Sequence, residues 1–106
     1  MDIKEYQQEI LRTVPSKMTK PNKLANFSLG LAGESGELID MIKKHLYQGH
    51  EIDVNKVSNE AGDLVWYLCN ILNVFNINLS DVMDANIAKL KARYPSGFDK
   101  NRSVNR

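Results

Sequence analysis

Two short stretches of the sequence each place two carboxylates three residues apart with a glycine between them. They are GESGELID at residues 33–40 and NEAGDL at residues 59–64. The four acids are Glu34, Glu37, Glu60 and Asp63. At about 100° per residue around a helix, each pair lies on the same flank of an otherwise apolar stripe. If the two helices pack side by side, the four carboxylates converge, and converging charges need a partner such as basic side chains, protons or a metal ion.

An all-oxygen set of carboxylate ligands favours a hard cation, Mg²⁺ first and Mn²⁺ second. The alternative is that both pairs are exposed acids near helix starts, where negative charge complements the helix macrodipole. One pair by itself favours that alternative. Two pairs on matching flanks of two predicted helices favour the metal site.

Four glycines interrupt the two segments that carry the acids. Gly30, Gly33 and Gly36 fall inside the first segment and Gly62 inside the second. Each glycine inside a helix costs roughly 1 kcal/mol relative to alanine. Either the helix is kinked or begins later, or the glycines allow another helix or a ligand to approach closely. Gly36 and Gly62 lie between the paired acids, which favours close approach.

The elements that must position these acids are predicted to be helices, because apolar residues recur with a helical period and no β alternation is present. Loops with proline or glycine separate the helices, Asp53 is a candidate N-cap of the third helix, and Ser80 is one for the fourth. The predicted helices are Ile3–Val14, Pro21 to Tyr47 or Gln48 with Gly49 as the stop, Val54–Phe75, and Asp81–Arg93. We therefore expect one all-α domain over residues 1–106, with an N-terminal helix and loop at 1–20. Residues 99–106 form a polar tail that is either frayed or an arm that docks on a neighbour.

Composition limits the class of protein. The chain has 106 residues, a net charge of +1 and 42% hydrophobic residues, which is ordinary for a globular domain. A near-zero net charge makes nucleic acid an unlikely partner. The single cysteine, Cys69, excludes an internal disulfide and fits a reducing compartment. The sequence shows no membrane span and no apolar signal region, so we expect a cytoplasmic protein.

Three segments together resemble the MazG-like nucleoside triphosphate pyrophosphohydrolases. They are LGLAGESGELIDMIKK, EAGDLVWYLCNIL and NIAKLKARYP, and the resemblance runs from about Asn22 to Phe98. The family motif is ExxE, a spacer of variable length, and then ExxD. Here 22 residues separate Glu37 from Glu60.

The resemblance implies an all-α unit of four to five helices that assembles as a dimer or a dimer of dimers. It implies Mg²⁺-dependent hydrolysis of a nucleoside triphosphate to the monophosphate and pyrophosphate, in nucleotide-pool housecleaning or in control of a normal pool. The metal ligands of the family correspond to the four acids named above. Glu37 or Glu60 then orients the attacking water as a general base.

The fourth predicted helix carries the positive charge that a triphosphate needs. Asn86, Lys89 and Arg93 share one face of this helix because they are three and four residues apart. The resemblance implies that residues of this region contact the phosphates, whereas the alternative is a solvated basic helix end. Lys43 either meets phosphate as well or complements the dipole at the end of its helix.

Two other functions stay open at this point. One is a phosphoribosyl-ATP pyrophosphohydrolase-like enzyme, which splits a similar bond. The other is a non-catalytic helical dimer that binds nucleotide or protein, although such a module has no need of four intact acids. A ferritin-like di-iron bundle is rejected, because neither His45 nor His50 follows a glutamate by three residues.

The apolar stripe of the third predicted helix is expected to face the core and consists of Val57, Leu64, Leu68 and Ile71. Four other residues of this helix lie off the stripe. Trp66 is expected at a subunit interface or as a base-stacking wall, the interface being favoured. Cys69 is expected to pack as a small apolar residue. Asn70 and Asn73 are interpreted as solvated surface positions.

Overall fold

The computed structural model describes residues 1–106, and every regular element in it is helical, which confirms the all-α prediction. The α-helices are α1 (Ile3–Glu9), α2 (Lys20–Tyr47), α3 (Val54–Val74), α4 (Leu79–Arg93) and α5 (Lys100–Val104), and a 3₁₀ turn, Ile10–Thr13, follows α1. No helix combines the length and the apolar character that crossing a membrane requires.

Capping residues set the ends of α2 and α3. The Thr19 hydroxyl accepts a 3.3 Å hydrogen bond from the amide of Asn22 and begins α2. Gly49 follows the end of α2 with φ of 73°, a left-handed value that glycine adopts without steric cost, as predicted. Asp53 accepts a 2.9 Å hydrogen bond from the amide of Asn55 and begins α3, which confirms the predicted N-cap.

The longest helices, α2 and α3, pack against each other in antiparallel order. Near the start of α2, the ring of Phe27 meets the edge of Trp66 with centroids 5.8 Å apart. Further along α2, Glu34 approaches Glu60, which lies earlier in α3 than Trp66. The short connection from Gln48 to Asp53 allows this arrangement. The packing therefore carries the acids of both helices to one place.

The most buried face of α3 is not the predicted apolar stripe. Cys69 is fully buried and Asn70 is 1% exposed, and both lie on the opposite side of the helix from that stripe. Leu68, a member of the predicted stripe, is 39% exposed. The prediction is wrong because α1 and the 3₁₀ turn pack on the other face of α3, a contact that the helical period does not reveal. Burial of Cys69 agrees with its expected packing role.

Trp66 also lies against the body of the chain rather than away from it. Its Nε1 donates a 3.0 Å hydrogen bond to the Thr13 hydroxyl in the 3₁₀ turn. Its ring makes edge contacts with Phe27 and with Tyr67, the latter at a centroid distance of 5.0 Å. The prediction that Trp66 points away from the packed core is therefore wrong, because the 3₁₀ turn packs on this face of α3.

Two side-chain amides, the buried Gln7 and the half-buried Asn73, join α1 to the elbow between α3 and α4. Gln7 is 5% exposed, and its Nε2 donates to Asn73 Oδ1 and to the Ile77 carbonyl, both at 3.1 Å. Asn73 Nδ2 donates back to the Gln7 carbonyl at 3.1 Å. Asn70 donates to the Trp66 carbonyl at 3.0 Å. Asn70 and Asn73 are therefore structural, and the prediction that they are solvated is wrong.

The same amide begins α4. Gln7 Oε1 accepts a 2.7 Å hydrogen bond from the amide of Leu79, the first residue of α4. The N-cap is Asn78 and makes no side-chain capping bond, so the predicted cap at Ser80 is wrong. A residue more than seventy positions away thus supplies the acceptor that a local cap would supply.

The two ends of the chain differ from their predictions. The predicted helix Ile3–Val14 is α-helical only to Glu9 and then tightens into the 3₁₀ turn. The polar tail contains a short helix, α5, whose first amides are capped by Asp99 through a 2.8 Å bond from Asn101. The expectation of a frayed tail is therefore wrong for residues 100–104.

Candidate metal centre

Three of the four predicted acids converge between α2 and α3. Carboxylate oxygens of Glu34, Glu37 and Glu60 all lie within 4.8 Å of one another. Glu34 and Glu37 are three residues apart and so share a face of α2, while α3 brings Glu60 from the opposite side. Glu34 and Glu60 are half-buried and Glu37 is exposed. The centre therefore has a shielded side and a side open to solvent.

The shielded side holds two oxygens that lack a partner. Oε2 of Glu34 and Oε2 of Glu60 are buried and accept no hydrogen bond. Leaving a buried acceptor unpaired destabilises the fold, and more so when the group is charged. The chain's ion pairs lie elsewhere, at Arg12 with Glu9 and at Asp40 with its two neighbouring lysines. The partner for these carboxylates is thus not a basic side chain of this chain.

Crowding of the acids changes the protonation of Glu60. The adjacent Glu34 carboxylate is the largest cause that raises the pKa of Glu60, from 4.5 to about 7. Burial and the negative charges of Glu34 and Glu37 raise it further. The crowded carboxylates therefore favour neutralisation of one of their charges, by a proton or by a cation.

Asp63 is not part of the converging group. It is exposed, one turn beyond Glu60 on α3. The pKa of Tyr6 on α1 is raised first by burial and then by electrostatic interaction with Cys69 and Asp63, so Asp63 lies within electrostatic range of Tyr6. No signal in the sequence identifies Tyr6 as a neighbour of this acid, because it comes from a distant helix.

The glycines of the two segments have different surroundings. A Cβ added at Gly30 would overlap the ring of Tyr67 on α3, so this glycine allows the two helices to approach closely. A Cβ added at Gly36 or Gly62 would meet nothing within 4 Å. The predicted close approach of helices is therefore found at Gly30, while approach of a ligand to Gly36 and Gly62 stays a prediction.

The predicted phosphate-binding residues of α4 are not beside the acids of their own chain. Asn86 and Lys89 are exposed, and α4 packs mainly against α1 rather than α2 or α3. Arg93 is half-buried, and its carbonyl accepts a 3.5 Å hydrogen bond from Arg102 Nη1. A role of this helix at the metal centre therefore needs a second copy of the chain or a different position of α4.

Lys43 has a partner on its own helix. Its Nζ lies 3.3 Å from Asp40, and Nζ of Lys44 lies 2.8 Å from the same carboxylate. Hydrogen bonds from Lys44 and then Lys43 are the largest causes that lower the pKa of Asp40. This exposed triad occupies the last turns of α2, where positive charge complements the helix dipole.

The chemistry of the donor set fits a hard divalent cation. All the converging atoms are carboxylate oxygens, no cysteine or histidine is among them, and two of the oxygens lack any partner. Glu34, Glu37 and Glu60 would hold such an ion, and the open side at Glu37 would leave room for substrate oxygens. The fold and site thus define an all-helical protein with a carboxylate centre between two antiparallel helices.

Comparison with known proteins identifies the family. Residues 23–98 match the model of the MazG nucleotide pyrophosphohydrolase domain, and this chain belongs to that family. The chain is similar to the Gene 37 protein of Mycobacterium phage L5, with 30% identity over 87 residues that cover 78% of this chain and 76% of that protein. No solved structure gives a significant match.

Proposed function

We propose that this chain is a Mg²⁺-dependent nucleoside triphosphate pyrophosphohydrolase. It hydrolyses the bond between the α- and β-phosphates of a (deoxy)nucleoside triphosphate and releases the monophosphate and pyrophosphate. The observation that carries the proposal is the cluster of Glu34, Glu37 and Glu60 with its two unpartnered buried oxygens, inside a domain of the MazG family. The biological role proposed is housecleaning of the nucleotide pool.

The acids have two tasks in this proposal. Glu34, Glu37 and Glu60 hold the cation, with Asp63 as the fourth proposed ligand. When bound, Mg²⁺ neutralises the triphosphate and polarises the phosphoryl group under attack. Without such neutralisation, the roughly four negative charges of a triphosphate would be repelled by the acids.

One carboxylate also accepts the proton of the attacking water. Glu37 is exposed and therefore accessible to water, and Glu60 faces it from α3 with a carboxylate oxygen within 4.8 Å. These two residues are the candidates. The water oxygen forms the new bond to the α-phosphorus. The oxygen that bridges the α- and β-phosphates leaves with the pyrophosphate, and the carboxylate keeps the proton taken from the water.

Positive charge for the phosphates comes from α4 in this proposal. Asn86, Lys89 and Arg93 follow one face of that helix, and α4 does not pack beside the acids of its own chain. We propose that they act on the metal centre of a neighbouring copy. Lys43 is the remaining proposed phosphate-binding residue. Its exposed ion pair with Asp40 contributes little to stability, so Lys43 can exchange this partner for a phosphate.

A second copy of the chain would also cover apolar surface that α2 and α3 leave open. Only 5 of 106 residues are buried, and Ile39, Leu46 and Leu68 are 64%, 63% and 39% exposed. The radius of gyration is 17.3 Å, whereas a compact domain of this length has about 13 Å. We therefore propose a homodimer or a dimer of dimers, formed through this surface. Analytical ultracentrifugation should give a mass of two or four chains, and a monomer at all concentrations would contradict the assembly.

The function is tested by the products released from a panel of nucleoside and deoxynucleoside triphosphates, with Mg²⁺ or with EDTA. We expect monophosphate and pyrophosphate in Mg²⁺, no free phosphate, and no reaction in EDTA. Mn²⁺ is expected to support the reaction in place of Mg²⁺. If a folded, helical protein releases nothing from any triphosphate, the proposed substrate class is wrong. Phosphoribosyl-ATP is then the next substrate to test.

A further inference from the structure

A second charged site lies where α4 meets α5. The chain's net charge is only +1, but its charges are unevenly distributed. Residues 89–106 contain six of the 14 lysines and arginines and only one of the 13 acids. The single acid, Asp99, caps the first turn of α5. The side chains of this segment are therefore strongly basic in balance, and its one acidic side chain is already used as a cap.

Three of these cations line one open surface pocket of about 410 Å³. Its lining residues are Arg93, Asn101, Arg102, Asn105 and Arg106, and none of them is acidic or hydrophobic. None of the three arginines forms an ion pair within the chain, whose salt bridges all lie elsewhere. Guanidinium groups that line one pocket without a counter-charge repel each other, so the pocket favours an anion.

The hydrogen-bonding capacity of the pocket is largely unused. Arg102 donates one bond, at 3.5 Å, to the carbonyl of Arg93 at the end of α4. That bond explains why Arg102 lies there, because a cation complements the C-terminal end of a helix. It uses only one of the five N–H donors of that guanidinium. The remaining donors of Arg93, Arg102 and Arg106 match the paired oxygens of phosphate, which arginine binds with two parallel hydrogen bonds.

We propose that this pocket, formed by the end of α4 and by α5, binds a compact polyphosphate anion of the pyrophosphate class. A pocket that gathers three arginines suits a small, multiply charged anion. Nucleic acid instead needs a basic surface that follows an extended backbone. The choice of pyrophosphate as the ligand rests on the proposed function, which produces it, whereas the anion site itself rests only on the pocket.

The test is isothermal titration of the full-length protein with pyrophosphate in EDTA, where the acid cluster has no cation and repels the ligand. We expect saturable binding that is at least 10-fold weaker in the Arg102→Gln/Arg106→Gln double variant. Arg102→Lys should lie between the two, because it keeps the charge but loses the paired donors. The control is Arg12→Gln, which removes an exposed arginine already paired with Glu9 at 3.0 Å and should bind like wild type.

Three results would overturn the proposal. In the titration, pyrophosphate could fail to bind the wild type, or could bind the double variant equally well. In a displacement experiment, pyrophosphate could fail to displace a fluorescent single-stranded oligonucleotide that is bound to the protein. The last result would identify the basic end as a nucleic-acid surface instead. Circular dichroism of each variant checks that the helices are intact. Because no turnover is measured and no metal is present, a failure here is distinct from a failure of the proposed hydrolysis.

Discussion

Glu60→Gln is expected to abolish Mg²⁺-dependent triphosphate hydrolysis while leaving the helices largely intact. Glu60 is the only acid that α3 contributes to the converging group, so its loss removes the one converging oxygen ligand that faces Glu34 and Glu37. Loss of an outer-shell partner of a metal costs roughly 10- to 100-fold, and loss of a ligand should exceed that. Pyrophosphate release and Mg²⁺ titration of the purified variant measure the effect.

Glu51→Gln is the matched control for this experiment. Glu51 is exposed in the connection between α2 and α3 and lies outside the acid cluster, and the same change removes one negative charge. It should retain wild-type turnover. If Glu60→Gln kept its activity, or if both variants lost it equally, the metal assignment would be wrong.

The pH dependence of stability, measured in EDTA, is a second way to compare Glu60→Gln with the wild type. The pKa of Glu60 is raised from 4.5 to about 7 in the folded state. Between these values the folded protein binds more protons than the unfolded chain, so the free energy of unfolding falls as pH rises. The glutamine side chain of the variant does not titrate. The melting temperature of Glu60→Gln should therefore rise relative to that of wild type as pH increases from about 4.5 through about 7. Above that range, added Mg²⁺ should raise the melting temperature of the wild type more than that of the variant.

The acid pairs could be predicted from sequence because their geometry is local. A three-residue spacing fixes two carboxylates on one helix face, and the same pattern on a second helix predicts convergence once the two helices pack. The structure brings together Glu34, Glu37 and Glu60 in this way. Asp63 lies one turn further along α3 and outside the group of converging oxygens, so the same argument does not bring it to the centre and it stays a proposed ligand.

Features that depend on distant contacts were not predictable. The helical period of α3 shows an apolar stripe, but it does not show that α1 packs on the opposite face and buries Asn70 there. The start of α4 likewise depends on the side chain of Gln7, so no local cap marks it. From sequence alone, a polar residue that another helix covers looks the same as one that is exposed to solvent. Only a partner that is distant in the chain distinguishes them.

Gly30→Ala is expected to destabilise the protein although it improves helix propensity. Alanine inside a helix gains roughly 1 kcal/mol over glycine. At Gly30, however, the new methyl group would overlap the Tyr67 ring, which is itself held edge-on against Trp66. Forcing an additional group into a packed contact typically costs about 1–3 kcal/mol. Denaturant unfolding should therefore give a lower free energy of unfolding for the variant, through separation of α2 from α3.

Gly33→Ala supplies the control, because it lies one turn away on the same helix and a Cβ there meets nothing within 4 Å. That substitution should stabilise the chain by up to about 1 kcal/mol, so the two identical changes are expected to have opposite signs. In a Tyr67→Ala background the penalty at Gly30 should disappear, which isolates the contact as a double-mutant cycle. Equal stabilisation by both alanines would contradict the close approach of α2 and α3 at Gly30. Since the same packing of α2 on α3 brings Glu34 to Glu60, that result would also remove the geometric basis of the metal centre.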